Sequence, residues 1–266
     1  MTEISNKKHI YSILIFSIIF IAIVFSFPPI AQDHEYHNFA DKKPFVSLGA
    51  EFSFSNFADV VSNLPFAIFG LIGLVSICSC QERCKEIFAA KGENVLWNVF
   101  FLGAFFVSLG SGYYHLDPNN HTLVWDRLPM TIAFMSLFSV MIVERISYKA
   151  GMILFPVFLM LGILSVFYWD YTESVGRGDL RPYVIVQFLP MVIIPFMLVV
   201  FKAKYAGTRY IVFALLWYLL AKIFEFYDVA IYEMTNEIVS GHSIKHIATA
   251  IGVYSFIEYL KVRGKK

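Results

Sequence analysis

Charged residues are scarce in this chain. Only 15% of its 266 residues are Asp, Glu, Lys or Arg, while 58% are hydrophobic. A soluble domain typically has about a quarter charged and about half apolar residues, so the composition indicates a membrane protein instead. The formal net charge is +1, so the basic excess that marks nucleic-acid-binding proteins is absent. We therefore expect no nucleic-acid partner.

Cysteine is also rare. The chain has three, Cys78, Cys80 and Cys84, an odd number whose spacing matches no common zinc-binding pattern. We interpret them as free thiols on the reducing side of a membrane, with lipidation or metal binding as the alternatives.

Long apolar runs, by contrast, are abundant. Runs of about 18–22 residues recur along the chain, and each is long enough to cross a hydrocarbon core of about 30 Å as a helix. Eight segments are predicted, at about residues 10–28, 60–79, 95–115, 128–146, 152–169, 181–201, 209–232 and 242–260. The pattern predicts an all-α integral membrane protein with no separate soluble domain.

Three regions divide the chain in this interpretation. Residues 1–29 form an N-terminal hydrophobic helix, residues 30–58 a polar non-cytoplasmic loop, and residues 59–261 the main membrane domain. Lys7 and Lys8, before the first apolar run, are also typical of a signal peptide, but a small-x-small cleavage site is hard to find. We expect a retained membrane anchor, with a cleaved signal peptide as the alternative.

Lys and Arg in the loops predict the orientation, because cytoplasmic loops are enriched in them. With the N-terminus inside, the cytoplasmic set has 14 members: Lys7, Lys8, Arg83, Lys85, Lys91, Arg145, Lys149, Lys202, Lys204, Arg209, Lys261, Arg263, Lys265 and Lys266. The opposite set has six: Lys42, Lys43, Arg127, Arg177, Arg181 and Lys245. We therefore expect both termini in the cytoplasm.

Polar side chains at membrane depth cost free energy, so they are candidates for function. They occur at the end of the third segment, the start of the fourth, within the seventh and at the start of the eighth. The predicted topology brings three of these ends, with His115, Asp126 and the pair His242 and His246, to the non-cytoplasmic face.

His242 and His246 are four residues apart, so both rings project from one face of a helix. Two imidazoles at this spacing can bind one metal ion, and His115 lies at the right depth to supply a third nitrogen. Three histidines leave one coordination position for water, as in catalytic zinc sites. We therefore predict zinc on these three residues. The alternative is a set of interfacial histidines that bond to neighbours or water.

Ser111 and Asp126 are the predicted catalytic residues. Ser111 lies one helical turn before His115 on the same face, so its hydroxyl can orient a water or stabilise an oxyanion. Asp126 can act as a general base that takes the proton of the water. The alternatives are a small residue that eases helix packing at 111 and a carboxylate that complements a helix dipole at 126.

Three further charged residues, Lys222, Glu225 and Asp228, are spaced three apart near one face of the seventh segment. We expect them to neutralise one another within the bundle, with a supporting role beside the metal as the alternative. The remaining histidines are predicted to be solvated, and they are His9, His34, His37 and His121.

Together these motifs resemble the alkaline ceramidase family. The resemblance rests on Ser111-x3-His115, on Asp126 followed by Leu128-Pro129-Met130, on His242-x3-His246, and on Ser62-Asn63 in the first core helix. It spans roughly residues 50–260 and is closest to the bacterial branch, because of Trp125-Asp126-Arg127 and Ser240-Gly241-His242.

The resemblance implies a seven-helix membrane bundle, here segments two to eight, with one additional N-terminal helix. It implies zinc on His115, His242 and His246, with Ser111 and Asp126 close to the activated water, in a bacterial cell membrane. The implied reaction is hydrolysis of ceramide or a related N-acyl lipid from the bilayer, giving a sphingoid base or amine and a fatty acid.

Two departures from the family pattern bear on calcium and on the substrate. Many members bind calcium through an acidic stretch with a tryptophan before the first core helix, but the first tryptophan here is Trp97, and Asn56 replaces a glutamate. Asp41 and Asn56 could keep a partial site, so calcium is a secondary hypothesis. Arg127 stands where eukaryotic members usually carry glutamate, so the headgroup contacts are expected to differ.

Two other functions stay open. Ser111 could be a nucleophile in a triad with His115 and Asp126, although His242 and His246 would then have no role. Alternatively, the protein could be a metal-binding seven-helix receptor or an ion or proton transporter, with the charges of the seventh segment along the ion path.

Overall fold

The protein is built almost entirely from helices. The computed structural model describes residues 3–43, 45–46, 53–79, 84–88 and 92–264. The helices are α1 (Glu3–Ser26), α2 (Phe57–Val61), α3 (Leu64–Cys78), α4 (Cys84–Ile87), α5 (Glu93–Leu116), α6 (Asn120–Arg145), α7 (Tyr148–Ser174), α8 (Arg181–Val200), α9 (Thr208–Phe226), α10 (Asp228–Met234) and α11 (Gly241–Val262). A 3-10 turn at His34–His37 and two paired antiparallel strands, β1 (Phe45–Val46) and β2 (Ser53–Phe54), complete the described part. The all-α fold class is confirmed.

Among the described residues, six helical spans are long and apolar enough to cross a membrane. They lie at 7–26, 57–78, 93–116, 120–145, 148–174 and 181–200. The pair α9 and α10 would make a seventh if it counts as one span. Helix α11 has 22 residues but is less apolar, since His242, Lys245 and His246 lie in its first turns. The chain is therefore a multi-pass membrane protein, while the predicted eight crossings and their orientation stay predictions.

Helix α1 lies at the edge of the bundle. It packs against α8, and most of its apolar side chains face outward. Arg181 ties the end of α1 to α8, because its guanidinium donates to the Phe27 carbonyl at 2.8 Å and pairs with Asp179 at 2.7 Å. The hydrogen bond from Arg181 also lowers the pKa of the Asp179 carboxyl. In contrast to the predicted solvation, the His9 ring packs edge-on against Phe201 at 5.8 Å.

The seventh segment is not one straight helix. Helix α9 ends at Phe226 and α10 begins at Asp228, with a bend of 77° between them. A residue of α10 therefore does not continue the three-residue spacing of α9. The prediction that Asp228 shares one helix face with Lys222 and Glu225 is wrong for this reason.

Helix α6 begins eight residues before the predicted segment. Asn119 and Thr122 form a capping box: the Asn119 side chain accepts from the Thr122 N–H at 3.1 Å, and the Thr122 hydroxyl accepts from the Asn119 N–H at 3.2 Å. Asp126 therefore lies in the second turn of α6. Its interpretation as a helix cap is wrong.

The polar loop before α2 folds back over one end of the bundle. The Leu180 N–H donates to the Ile30 carbonyl, and the Ala40 N–H donates to the Asp228 carboxylate, both within 3.0 Å. Phe39, which belongs to this loop, has a buried side chain. Residues 30–41 thus form a cap, here called the cap segment, over the ends that carry the predicted histidine site.

A buried ionic cluster closes the opposite end. Arg263, just past α11, pairs with Glu93 of α5 and with Glu144 of α6, and the Tyr259 hydroxyl donates to Glu144 at 2.6 Å. The 22 residues of α11 span about 33 Å at about 1.5 Å per residue, so this cluster is far from the histidines. Among the cysteines, Cys78 is free, whereas Cys80 and the side chain of Cys84 lie outside the described residues.

Helices α5 and α6 approach closely at Gly110. A Cβ atom at this position would lie 2.0 Å from the Trp125 carbonyl oxygen, which is backbone and cannot easily move. Because Ser111 and Asp126 are the next residues on each helix, this contact brings the two predicted catalytic side chains together.

Replacing Gly110 with Ala is therefore expected to separate α5 from α6 and to destabilise the protein by about 1–3 kcal/mol or more. Gly112 is the matched control, because a Cβ there would meet nothing within 4 Å. Gly112→Ala should be neutral or stabilising, since alanine favours helix by up to about 1 kcal/mol. Thermal unfolding of both variants in one detergent tests this. Equal midpoints would contradict the close contact.

Candidate metal centre

Three buried histidines meet beneath the cap segment. His115 comes from the last turn of α5, and His242 and His246 come from the first two turns of α11. The three ring centroids are 4.8–5.0 Å apart, and one possible ligand atom from each ring lies within 4.8 Å of the other two. Within the described residues this is the group that could hold a metal ion. The predicted convergence of these residues is thus observed, although no metal is identified.

His246 is held in place by Ser62, the residue that follows α2, and through it by α2. Its Nδ1 atom lies 2.8 Å from the Ser62 hydroxyl, which donates in turn to the Asp59 backbone carbonyl at 3.0 Å. The Ser62 proton is used in that second bond, so Nδ1 of His246 is the donor to Ser62. This tautomer leaves Nε2 of His246 with the lone pair that a metal requires.

His115 supplies a further indication that the histidine group can bind a cation. Its Nδ1 atom is buried, and no described residue bonds to it. Its backbone carbonyl accepts a hydrogen bond from the Asn56 amide at 3.0 Å, which fixes the end of α5. An unbonded polar atom in the interior is costly. A cation bound by the three imidazoles would fit this donor set.

Asp59 anchors the start of the helix that carries two of the histidines. It has no exposed surface, and its Oδ1 atom accepts hydrogen bonds from Ser243 at 2.6 Å and Ser240 at 3.1 Å. Ser240 is the N-cap of α11 and also accepts from the Ser243 backbone N–H. The second oxygen, Oδ2, has no partner among the described residues. Asp59 therefore holds the first turn of α11 by one oxygen.

Ser111 and Asp126 line one cavity together with His246. Ser111 is buried and Asp126 partly exposed, and the two side chains are close enough to interact. A nucleophilic triad would need His115 between the serine and the aspartate. The observed pairing is instead serine to aspartate, so the geometry gives the triad no support.

The cap segment contacts the histidines directly. The Phe39 ring packs against His242 at 4.4 Å and His115 at 4.6 Å between centroids. His37, which we predicted to be solvated, is half-buried, with its ring nitrogens 2.8 Å from the Tyr114 hydroxyl and 2.9 Å from Oδ1 of the Asn120 side chain. That prediction is wrong, because the cap segment folds back onto α5 and α6 instead of projecting into solvent.

Charged side chains from α9 and α11 form a linked group beside His242. Glu225 pairs with Lys222 at 2.6 Å and with Lys245 at 2.9 Å, and Lys245 also lies 3.4 Å from Nδ1 of His242. The predicted pairing of Lys222 with Glu225 is confirmed. Asp228 instead accepts from the His242 backbone N–H at 2.7 Å, so it supports the N-terminus of α11.

A cavity of about 310 Å³ extends from this site into the bundle. Its polar end is lined by Ser111, Asp126, His246 and the cap residue Tyr36. Further along, its walls are mainly apolar and aromatic, with contributions from α3, α5, α6, α8, α9 and α11. The histidine site thus adjoins a chamber with mainly apolar walls, to which α8, α9 and α11 also contribute polar side chains.

Arg127, which departs from the family pattern, and Asp41, a candidate for a partial calcium site, both bond within the protein. Arg127 is buried, stacks on Trp169 at 4.2 Å and Tyr183 at 4.6 Å, and donates to the Gln32 side chain at 2.7 Å, so it fastens the cap segment. Asp41 accepts from the Ala58 N–H at 2.9 Å. The bonds of Asp41 and Asn56 add no support for calcium, and residues 47–52 between them lie outside the described part.

A comparison with known families decides the relationship. The family model for ceramidases matches residues 50–263, which takes in α2 to α11 and leaves α1 outside. The chain belongs to the ceramidase family. No curated protein matches it. Membership supports a ceramide-hydrolysing function, and hence an enzyme that cleaves an amide bond, while the bacterial branch remains a prediction.

Several residues lie around this ceramidase site that were not predicted from the sequence to be there. Asp59 carried a signal, because a carboxylate in an apolar helix is a functional candidate by default. No sequence feature pointed to Phe39 or Tyr36, since aromatic residues in a polar loop give no indication of where that loop folds. Lys245 was assigned to the non-cytoplasmic surface, although its ammonium group is mostly buried beside His242.

Asp59→Ala should destabilise the ceramidase fold, by about 2–3 kcal/mol, because two buried serine hydroxyls lose their acceptor. Asp59→Asn is the matched control, since its amide oxygen can still accept from Ser240 and Ser243. The Asp59→Asn substitution also removes a buried negative charge near Asp41 and Asp228. We expect Asn to be neutral or stabilising in a thermal unfolding assay. If Asn proved as damaging as Ala, the charge itself would be required and the explanation would be wrong.

Proposed function

We propose that this ceramidase-family protein is a zinc-dependent intramembrane hydrolase of ceramide or a related N-acyl lipid. The observation that carries the proposal is the buried group of His115, His242 and His246 at the polar end of an apolar cavity. Membership of the family supports the reaction class, and the three imidazoles support the metal.

The histidine group fits zinc better than the harder cations. Imidazole nitrogens are favoured ligands of zinc, whereas calcium and magnesium prefer oxygen. When bound, zinc would supply a Lewis acid that lowers the pKa of a water from about 15.7 to about 7. Ser62 would hold His246 in the tautomer that can bind, and Phe39 would keep bulk water away from His115 and His242.

Asp126 and Ser111 would do the proton transfer and positioning. The Asp126 carboxylate would accept a proton from the attacking water, whose oxygen bonds to the amide carbonyl carbon. The carbon–nitrogen bond then breaks, and Asp126 would return the proton to the leaving amine. The Ser111 hydroxyl, which lines the same cavity as Asp126, would orient the water or donate to the developing oxyanion.

The cavity suits a substrate that enters from lipid. Its walls are mainly apolar, so an acyl chain can occupy them while the amide stays at the polar end. The predicted topology would place this end near the non-cytoplasmic face. A receptor or transporter remains the alternative function, and amide hydrolysis by the purified protein would exclude a purely receptor or transport role.

Asp126→Asn should separate catalysis from metal binding. Because three histidines would hold the metal, zinc content should stay near one per chain while hydrolysis falls by about 100-fold or more. Ser111→Ala should also keep zinc, with a smaller or comparable loss of rate. His242→Ala is the contrasting control and should lose both. Zinc content and hydrolysis are measured on the same preparations.

Each result against this pattern would remove a different part of the proposal. Near-normal hydrolysis by Asp126→Asn would exclude Asp126 as the base. Full zinc content in His242→Ala would exclude that histidine as a ligand. Wild-type activity that survives a strong chelator, together with no turnover by Ser111→Ala, would favour a serine nucleophile instead.

A further inference from the structure

Five polar side chains from α8, α9 and α11 line the cavity besides Ser111, Asp126 and His246. They are Gln187 of α8, Tyr218, Lys222 and Glu225 of α9, and Lys245 of α11. We call these five residues the polar wall. Along α9 it extends seven residues, from Tyr218 to Glu225, or about 10 Å at about 1.5 Å per residue. Such a wall is unusual in a chamber that is otherwise apolar and membrane-embedded.

The charges of the polar wall do not balance. Its two ammonium groups, on Lys222 and Lys245, share the single carboxylate of Glu225. Each ammonium has three protons to donate. Glu225 is the one hydrogen-bond acceptor found for Lys222 in the described part of the chain. The ring centroids of Phe188 and Tyr218 each lie 6.0 Å from the Lys222 Nζ atom. The wall therefore has more ammonium groups than carboxylates and retains unused N–H donors.

The other charges near the cavity do not use these donors. Asp126, the proposed base, lines the same chamber, and the ion pairs of the described residues join Lys222 and Lys245 to Glu225 and not to Asp126. Asp228 is bonded to the backbone of His242 and Ala40. Cations at membrane depth are costly unless they are paired, so an anion that completes the pairing would be strongly favoured.

The polar wall leads away from the histidines. Lys245 lies 3.4 Å from Nδ1 of His242, whereas Lys222 is joined to Lys245 only through Glu225. A group that meets Lys222 is therefore displaced from the reacting amide. In a ceramide-type lipid the headgroup oxygen is likewise separated from the amide, by a few bonds.

We propose that the polar wall is a headgroup subsite that selects N-acyl lipids with an acidic headgroup, such as a phosphate. This inference rests on the proposed hydrolase function, whose substrate class it narrows. Lys222 and Lys245 donate to the headgroup oxygens, while Tyr218 and Gln187 offer further polar groups deeper in the chamber. The acyl chains occupy the opposite, apolar walls.

Binding of two lipids that differ only in the headgroup tests this proposal. They are a short-chain ceramide and the same lipid phosphorylated on its primary hydroxyl, at equal mole fraction in one non-ionic detergent. Affinities for the purified full-length protein are measured by native mass spectrometry. We expect the wild type to bind the phosphorylated lipid at least about 10-fold more tightly, which is about 1.4 kcal/mol.

Three variants locate the source of the preference. Lys222→Gln should reduce it to about 2-fold or less, because the charge is lost, whereas Lys222→Arg should keep most of it. Lys149→Gln, the same substitution at an exposed position of α7, should leave the ratio unchanged. Inorganic phosphate and a free fatty acid are included as competitors, because either could supply an anionic oxygen.

Equal binding of the two lipids by the wild type would overturn the proposal without any variant. A preference that persists in Lys222→Gln would overturn the assignment to the polar wall. Competition by free phosphate or fatty acid as strong as that of the phosphorylated lipid would overturn the headgroup as the source. Hydrolysis is followed in parallel, and a preserved binding preference without hydrolysis would count against the proposed function alone.

Discussion

The first turn of α11 is held against α9, α10 and α2, and the histidine group depends on this contact. At Gly241 the backbone packs so tightly that a Cβ atom would lie 2.3 Å from the Phe224 carbonyl oxygen. Asp228 holds the His242 N–H, and Asp59 holds the two serines of the same turn. Together these bonds set the distance from α11 to His115 on α5.

Much of this arrangement could be predicted from the sequence, because apolar length and histidine spacing are local properties. The His-x3-His pair, the Ser-x3-His pair and the membrane spans follow from helix geometry alone. The predictions that were wrong concern places where a helix begins earlier than its apolar run or is interrupted by a bend. The capping box at Asn119 lengthened α6, and the bend after Phe226 sent Asp228 to a different partner.

The cap segment could not be predicted for a different reason. Its residues are polar or aromatic without periodicity, and its path is set by distant partners. Arg127 of α6 bonds to Gln32, and Asp228 of α10 bonds to the backbone of Ala40. Phe39 therefore reaches the histidines only because several helices are already in place. Tertiary contacts of this kind leave no pattern in a single sequence.

X-ray absorption at the zinc edge of the purified, full-length protein tests the central claim most directly. The account predicts about one zinc per chain, with three nitrogen ligands at about 2.0–2.1 Å and one oxygen, as expected for three histidines and a water. Sulfur ligands at about 2.3 Å would assign the metal to the cysteines instead. Fewer than three nitrogen ligands, or the absence of zinc, would contradict a site on His115, His242 and His246.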